Sequence, residues 1–231
     1  MVKFMQDFKD KSFPNLVVKK NYLGFKNGVL NIENCKFTRE ENFEDDFIVR
    51  KYFDQNFPEE TDDPNNIPTP PFDYVLNYQF EHKVVNFIYV CFGRLFGIRD
   101  GWGFMLYFLG EAGCGKSIII HIMSACFDKI GTIGDSYELA FGLSGLFHKD
   151  LVVCHELPRN ISKLMPQTTF QACVMLDSVA ISTKGQTSFS TEWTAPLLFA
   201  GNWLPDDIDK GRVTRRVMEA NFERIPEERD T

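Results

Sequence analysis

One segment constrains the fold of this chain more than any other: an apolar run, a glycine-rich loop and a second apolar run in direct succession. The first run, Phe104-Met105-Leu106-Tyr107-Phe108-Leu109, is unbroken, which is typical of a strand buried on both faces. The second run, residues 117–126, predicts a mostly buried helix. The loop between them has the spacing G-x-x-x-x-G-K-[ST], so the segment predicts a strand, a phosphate-binding turn and a helix.

The loop itself predicts a site for a nucleoside triphosphate. Its residues are Gly110, Glu111, Ala112, Gly113, Cys114, Gly115, Lys116 and Ser117. Glycines let the backbone wrap a phosphate, while loop N–H groups and the helix N-terminus supply positive potential. Lys116, expected to be exposed in the loop, would reach the β- and γ-phosphates of ATP, and Ser117 would ligate Mg²⁺.

The charge of the chain is unevenly distributed. The 231 residues carry a net charge of −7, which argues against a generally basic surface that coats nucleic acid. Residues 33–63 hold eleven Asp or Glu against four Lys or Arg, which is also −7, so the remainder is balanced and can carry a local basic patch. The acidic region is either an interaction surface or a solvated loop.

The cysteines and the hydropathy indicate an intracellular protein without a membrane segment. The six Cys are scattered singly, so neither a zinc module nor a disulfide framework is indicated. Reduced thiols are the default in an intracellular compartment. No stretch reaches the ~18 apolar residues of a membrane span, and the N-terminus lacks the apolar core of a signal peptide.

The pattern divides the chain into an N-terminal region, 1–71, and a larger region, 72–231. The first contains short β-like pieces and a hairpin signal at Lys26-Asn27-Gly28. It ends in a proline-containing linker, residues 58–71, which is not expected to be helical. An apolar stripe with helical spacing then runs from residue 72 to about Gly97.

Beyond the loop, the pattern predicts an α/β sheet that is mostly parallel and flanked by helices. Apolar runs at 151–154 and 196–200 indicate two more buried strands, with a largely helical segment over 160–176 between them. Residues 179–190 alternate and turn at Lys184-Gly185, which indicates a hairpin. This alternation of strands and helices is typical of a P-loop fold.

Two polar residues at the ends of the later strands are candidates for hydrolysis. Glu156 follows the strand at 151–154, where an acidic residue could orient a water or help to hold Mg²⁺. His155 stands before it and favours a structural rather than a catalytic role. The single carboxylate must therefore do more alone, or Asp150 or a water must help it. Asn202 follows the strand at 196–200 and could place its amide between Glu156 and the γ-phosphate. The simpler alternatives are a surface carboxylate and an ordinary turn asparagine.

Three arginines, Arg212, Arg215 and Arg216, precede the apolar segment 217–222. An arginine supplied in trans at a subunit boundary can neutralise charge that develops on a γ-phosphate. A solvated face is the alternative explanation.

Taken together, these motifs resemble superfamily 3 helicases, most closely the poxvirus-type primase-helicase ATPases of large DNA viruses, phages and plasmids. The resemblance rests on the loop at 110–117, the strand ending in His155-Glu156, the hairpin and strand that lead to Asn202, Arg215-Arg216 with Phe222, and residues 23–31. It covers roughly residues 20–225. The loop alone is specific, and the order and spacing of all five segments carry the likeness.

The resemblance implies an AAA+-type P-loop ATPase with a pre-sensor hairpin, acting as a DNA helicase in the replication of a virus or mobile element. It implies a homo-hexameric ring on single-stranded DNA, with Lys184 at the tip of a hairpin in the channel. Arg215, which matches the trans-acting arginine better than Arg216, would complete a neighbour's site. Primase or other replication proteins are implied partners, in the host cytoplasm or nucleus.

Other functions stay open at this point. One alternative is a P-loop ATPase that remodels or packages DNA without unwinding it, and another is a nucleotide-gated assembly module. Relatives usually carry a helical part after the last strand, so the chain could be a fragment, a compact family member or one piece of a split protein. Host and polarity of translocation are not indicated.

Overall fold

The computed structural model describes residues 17–42, 47–58, 68–97, 101–134, 141–205 and 214–225. Contacts between Cα atoms divide the chain into two units, Met1–Asp62 and Asp63–Thr231, and each is described by itself. The boundary falls inside the proline-containing segment 58–71. Residues 59–67 of that segment lie outside the described residues.

The N-terminal unit contains a sheet in the order β3-β2-β1-β4. Its strands are β1 (Val17–Phe25), β2 (Gly28–Asn31), β3 (Lys36–Arg39) and β4 (Phe47–Phe53). Strands β1 and β2 form the predicted hairpin around Lys26-Asn27, while β4 pairs with β1 in parallel. Gly28 has a φ of 153°, and a Cβ there would overlap the Thr38 carbonyl oxygen, so the hairpin requires glycine at this position.

The acidic region is more ordered than a solvated loop, because β3 and β4 lie within residues 33–63. Aromatic side chains hold these strands to β1. The Phe25 and Phe53 rings stack with centroids 5.3 Å apart, and Phe37 stacks on Phe57 at 4.6 Å. Aromatic pairs of this kind stabilise a small sheet beyond the area that they bury.

The second unit begins with two helices, α1 (Pro70–Gln79) and α2 (His82–Arg94). The helical region that the apolar stripe predicted is confirmed. It is interrupted at Phe80, however, where the backbone is extended with φ −126° and ψ 155°. The expectation that residues 58–71 exclude helix is wrong for Pro70 and Pro71. Both lie in the first turn of α1, where the missing N–H has no intrahelical partner to lose.

A five-stranded sheet forms the centre of this unit, in the order β11-β5-β10-β7-β6. Its strands are β5 (Met105–Gly110), β6 (Ile130–Thr132), β7 (Leu151–Cys154), β10 (Leu197–Gly201) and β11 (Val217–Phe222). Every neighbouring pair is parallel, which confirms the predicted α/β sheet. The remaining elements are α3 (Lys116–Ser124), α4 (Gln167–Met175), β8 (Ser178–Ile181) and β9 (Phe189–Glu192).

Alternate residues of β5 enter different cores, which explains its unbroken apolar sequence. Met105 and Tyr107 lie in a cluster with residues of α4 and of the β8–β9 hairpin. Leu106 and Phe108 lie in a second cluster with residues of α1, α2 and α3. The sheet is therefore buried on both faces, as a parallel sheet requires.

No helix in the described parts of the chain combines the length and the apolar character that are needed to cross a membrane.

Candidate nucleotide site

The parallel sheet brings three polar segments to one edge. The glycine-rich loop follows β5, Glu156 follows β7, and Asn202 follows β10. Because the carboxyl ends of parallel strands lie at the same edge, ligands of such sheets collect there. The fold thus places the predicted loop and both predicted polar residues side by side.

The loop is built by glycines that other residues could not replace. Gly113 and Gly115 have φ angles of 86° and 101°, a region that side chains disfavour. A Cβ on Gly110 would lie 2.5 Å from the carbonyl oxygen of Phe222 on the neighbouring β11. Helix α3 begins at Lys116 directly after Gly115, and the N–H groups of a first helical turn have no intrahelical partner. The loop therefore ends in backbone donors suited to an anion.

Lys116 is buried rather than exposed, which corrects the expectation from the sequence. Only 7% of its surface is accessible. Its ammonium donates to the carbonyl oxygens of Gly110 and Glu111, at 2.6 and 2.7 Å. It lies 3.5 Å from the Cys114 sulfur. A buried charge needs such partners, and the two loop carbonyls supply them.

Asn202 connects the lysine to the acidic residue. Its Oδ1 accepts a hydrogen bond from the Lys116 ammonium at 3.2 Å, and its Nδ2 donates to Glu156 Oε1 at 3.3 Å. Lys116, Asn202 and Glu156 thus form one continuous polar chain across three strands. The sequence predicted that the Asn202 amide lies between Glu156 and the γ-phosphate, and the structure places this amide in contact with Glu156.

Strand β10 separates the loop strand from the acidic strand. It pairs with β5 on one side and with β7 on the other. Since neighbouring strands lie about 4.8 Å apart, Glu156 starts about 10 Å from the loop strand. Asn202, which follows β10, spans this separation through its hydrogen bonds to Lys116 and Glu156.

A cleft of about 340 Å³ lies in front of the loop. It is lined by Ala112, Gly113, Gly115, Lys116, Ser117, Ile118, His155, Glu156 and Asn202. This volume is within the ~300–1,000 Å³ of small-molecule sites. A larger hollow of about 560 Å³ in the N-terminal unit is lined by Asn27, Arg39, Glu40, Glu41 and Asn56, without a comparable set of phosphate donors. Chemistry rather than size therefore identifies the site.

The structure places His155 and Asp150 differently relative to the cleft. His155, for which the sequence favoured a structural over a catalytic role, is exposed and lines the cleft. Asp150 precedes β7, whereas Glu156 follows it, so the two carboxylates lie at opposite edges of the sheet. At about 3.3 Å per residue, Asp150 is too far away to assist Glu156.

The donor set at the cleft suits Mg²⁺ only together with a bound phosphate. Among the described residues, no group of three or more His, Cys, Asp or Glu side chains could hold a metal ion. Ser117 and Glu156 both line the cleft and offer oxygen ligands. Mg²⁺ usually binds one or two protein oxygens, substrate phosphates and waters, so these two residues fit a nucleotide-bound ion.

Arg215 and Arg216, which the sequence could not separate, have different environments. Arg216 donates to the Gly103 carbonyl oxygen at 3.3 Å and contacts the Met175 sulfur, so it packs within its own chain. Arg215 is exposed. Both precede β11, at the edge of the sheet opposite the loop. Arg212 lies outside the described residues.

Lys184 lies at the tip of the predicted hairpin. Strands β8 and β9 pair in an antiparallel register, and Gln186 N–H donates to the Thr183 carbonyl oxygen at 3.1 Å to close the turn. Gly185 has a φ of 76°, and Lys184 is exposed. Val179 and Ile181 anchor β8 in the core, so the tip projects from a fixed base.

Sequence reasoning missed two buried polar residues that support the site. The Gln79 side-chain amide donates to the Cys114 carbonyl oxygen of the loop at 2.9 Å, and its oxygen accepts from Arg224 N–H at 3.0 Å. Tyr107 donates to the Trp203 carbonyl oxygen at 2.6 Å. The available signal was one polar group inside each apolar pattern, which is too common to single out a residue.

Comparisons with known proteins identify the fold but no function. The matching family model covers residues 108–216 and is described as a family of unknown function (DUF5906). That span contains the loop, Glu156, Lys184, Asn202 and Arg215. A comparison with curated proteins gave no match.

Three solved structures are similar to this chain. The A-form apo structure of the NrS-1 C-terminal region has a TM-score of 0.55 and 13% identity, over 90% of this chain and 59% of that one. A second apo structure of that region gives 0.54 and 13%, over 90% and 60%. A JCV helicase with a bound small molecule gives 0.45 and 14%, over 66% and 43%.

The chain thus spans about three fifths of the length of the NrS-1 structures that it matches. At 13% identity, this similarity establishes a shared fold and leaves the activity to the site.

Proposed function

We propose that this chain is the ATPase motor of a superfamily 3 DNA helicase, of AAA+ type and related to the poxvirus-type primase-helicase ATPases. It would couple ATP hydrolysis to translocation on single-stranded DNA during replication of a virus or mobile element, inside the host cell. The observation that carries the proposal is the polar chain Lys116–Asn202–Glu156 at the mouth of the glycine-rich loop. The shared fold with the NrS-1 C-terminal region is compatible with it.

ATP would bind with its phosphates against the loop. The N–H groups at the start of α3 would donate to phosphate oxygens. The Lys116 ammonium would exchange the Gly110 and Glu111 carbonyl oxygens for oxygens of the β- and γ-phosphates. Ser117 and Glu156 would hold Mg²⁺, which would help to neutralise the negative charge of the phosphates.

Hydrolysis would take place between the glycine-rich loop and Glu156. Glu156 would accept a hydrogen bond from a water and orient it towards the γ-phosphate. Asn202, already bonded to both Lys116 and Glu156, would hold the carboxylate and contact the γ-phosphate through its amide. The lysine charge would stabilise the transition state more than the ground state, which is the condition for faster turnover.

Assembly would complete the site. Arg215 is exposed at the edge opposite the loop of its own subunit, so a neighbouring subunit in a homo-hexamer is the site that it could reach. Lys184 would contact DNA phosphates from the hairpin tip, and the ring would repeat that contact in every subunit. Primase or other replication proteins are further proposed partners.

The test is the ATPase rate of the purified chain with and without single-stranded DNA, measured together with oligomer mass. The proposal expects Mg²⁺-dependent turnover that DNA stimulates and an assembled species. Absence of turnover in a folded protein with demonstrated ATP binding would favour a nucleotide-gated assembly module. Stimulated turnover without strand separation would favour an ATPase that remodels or packages DNA.

A further inference from the structure

Tyr107 lies under the turn that carries Asn202. It is in the middle of β5, where it pairs with Phe199 of β10 and Glu219 of β11. Its side chain is fully buried in the core cluster shared with α4. The hydroxyl extends from this core to the site edge of the sheet, where it donates to the Trp203 carbonyl oxygen at 2.6 Å.

Gly201 makes this hydrogen bond possible. A Cβ at position 201 would overlap the Tyr107 hydroxyl oxygen and would lie 3.3 Å from both the tyrosine Cζ and the Leu157 carbonyl oxygen. The absence of a side chain lets the hydroxyl pass close to the backbone at the end of β10. The close approach of the Tyr107 hydroxyl therefore explains why position 201 is a glycine.

Asn202 is consequently held on both sides by contacts from neighbouring strands. Before it, the Ala200 carbonyl oxygen accepts from Leu157 N–H at 2.8 Å, which ties β10 to the segment after β7. After it, the Trp203 carbonyl oxygen accepts from Tyr107, which ties the same turn to β5. The two ties come from the strands that lead to Glu156 and to the glycine-rich loop.

We infer that Tyr107 is a positioning residue for hydrolysis, whose hydroxyl fixes the turn at 201–203 so that Asn202 bridges Lys116 and Glu156. This inference rests on the proposed ATPase function. Tyr107 does not line the cleft and would not touch the nucleotide. Burial raises the pKa of Tyr107 well above its usual value, so the hydroxyl keeps its proton and remains a donor throughout the neutral range.

The test is Tyr107→Phe, which removes one oxygen and keeps the buried ring. We expect kcat for ATP to fall about tenfold with KM nearly unchanged, because displacing a catalytic group by ~1 Å costs up to ~100-fold in rate while the loop is untouched. Amide hydrogens of residues 201–204 should exchange faster with deuterium. A purely structural role would lower thermal stability without this split between kcat and KM.

Tyr89→Phe is the matched control. The Tyr89 hydroxyl also makes a short hydrogen bond, to Asp73 Oδ1 at 2.5 Å, but it joins α1 and α2 away from the cleft. This variant should leave kcat and the exchange at 201–204 at wild-type values.

Gly201→Ala supplies an independent second variant. Its methyl group would push on the Tyr107 hydroxyl and displace the turn, so it should reduce kcat at least as much as Tyr107→Phe. The double variant lacks the hydroxyl and should be no slower than Tyr107→Phe alone, since the overlap is relieved. A double variant whose losses simply multiply would overturn the inference.

The remaining outcomes are distinguishable. Wild-type kcat in Tyr107→Phe, with or without faster exchange, overturns the positioning role while the ATPase stands. A lower kcat with unchanged exchange at 201–204 overturns it as well, because the effect then does not pass through the turn. If the wild-type chain has no turnover, the proposed function fails first, and the exchange measurement alone decides whether Tyr107 holds the turn.

Discussion

At the scale of single residues, the main feature of the site is the buried ammonium of Lys116, which is hydrogen-bonded within the protein. Lys116 satisfies its ammonium with the Gly110 and Glu111 carbonyl oxygens and with Asn202. A nucleotide would replace the two carbonyls by phosphate oxygens, which compensate the charge more fully. Lys116 therefore contributes to the structure of the loop as well as to the proposed catalysis.

Lys116→Ala should reduce ATP turnover by at least ~100-fold, the usual effect of losing one transition-state charge contact. Because the residue is buried, a modest drop in melting temperature should accompany the loss. Lys83→Ala, at an exposed position of α2, is the control and should change neither. Near-wild-type turnover in a folded Lys116→Ala protein would exclude the proposed role of the loop.

Glu156→Gln should keep nucleotide binding and lose hydrolysis by about 10²–10⁴-fold, since the amide retains the shape and removes the base. Its side-chain oxygen can still accept from Asn202 Nδ2. A fluorescent ATP analogue measures binding, and phosphate release measures turnover. If binding is lost together with turnover, Glu156 acts mainly through Mg²⁺ or through structure.

At the scale of elements, β11 connects two ends of the proposed machinery. It begins beside Arg215 and ends at Phe222, next to Gly110 of the loop. Gln79 at the end of α1 then joins the Arg224 backbone to the loop carbonyl of Cys114. Helix α1 therefore stabilises the loop through the buried Gln79 amide.

Gln79→Ala should lower the free energy of unfolding by about 1–3 kcal/mol, because buried backbone groups lose their partners. It should also raise KM for ATP, since the loop carbonyl of Cys114 is released. Asn77→Ala on the same helix is exposed and should be neutral or slightly stabilising. Urea denaturation and steady-state kinetics measure both effects. Equal stabilities of the two variants would contradict this stabilising role.

Lys184→Ala tests the hairpin as an element. Lys184 is exposed at the tip of the hairpin and should contact DNA phosphates. Its loss should therefore weaken single-stranded DNA binding and reduce the dependence of affinity on salt. Basal ATPase should be spared, because the tip does not line the cleft. Lys163→Ala, another exposed lysine, is the control. If the affinity for single-stranded DNA depends on salt identically in the two variants, Lys184 is only a solvated turn residue.

At the scale of the whole molecule, Arg215 lies far from the glycine-rich loop of its own chain. Strand β11 pairs with β5 in register from Val217 beside Met105 to Phe222 beside Gly110. At ~3.3 Å per residue, this separates the start of β11 from the loop by about 17 Å. Arg215 therefore cannot reach its own nucleotide, and any catalytic role for it depends on assembly.

Arg215→Ala should bind ATP normally and hydrolyse it poorly, because an arginine of this kind acts on the transition state. Mixing it with Lys116→Ala should restore part of the activity, since some interfaces then pair an intact lysine with an intact arginine. Mixing must be verified by mass. Arg216→Ala is the contrasting variant. The Arg216 side chain packs against Gly103 and Met175, so its removal should lower stability. Two inactive variants that stay inactive when co-assembled would argue against action in trans.

Much of the fold was predictable because its signals are local. The apolar runs of β5, β7 and β10 and the spacing of the loop specify their elements within a few residues of sequence. Strands β3 and β4 were missed, because both are short and acidic residues flank them in the sequence. The break at Phe80 was missed as well, since the apolar stripe continues through it.

The sequence by itself determined the strand, loop and helix around Lys116 and the candidate roles of Glu156 and Asn202, because these depend on residue type and near spacing. The candidate role of Arg215 came from the resemblance to superfamily 3 helicases. The tertiary structure alone decided the order β11-β5-β10-β7-β6 and the burial of Lys116. It also decided the contacts of Tyr107 with Trp203 and of Gln79 with Cys114. Those pairs are separated by 96 and 35 residues, and only chain closure through the sheet brings them together.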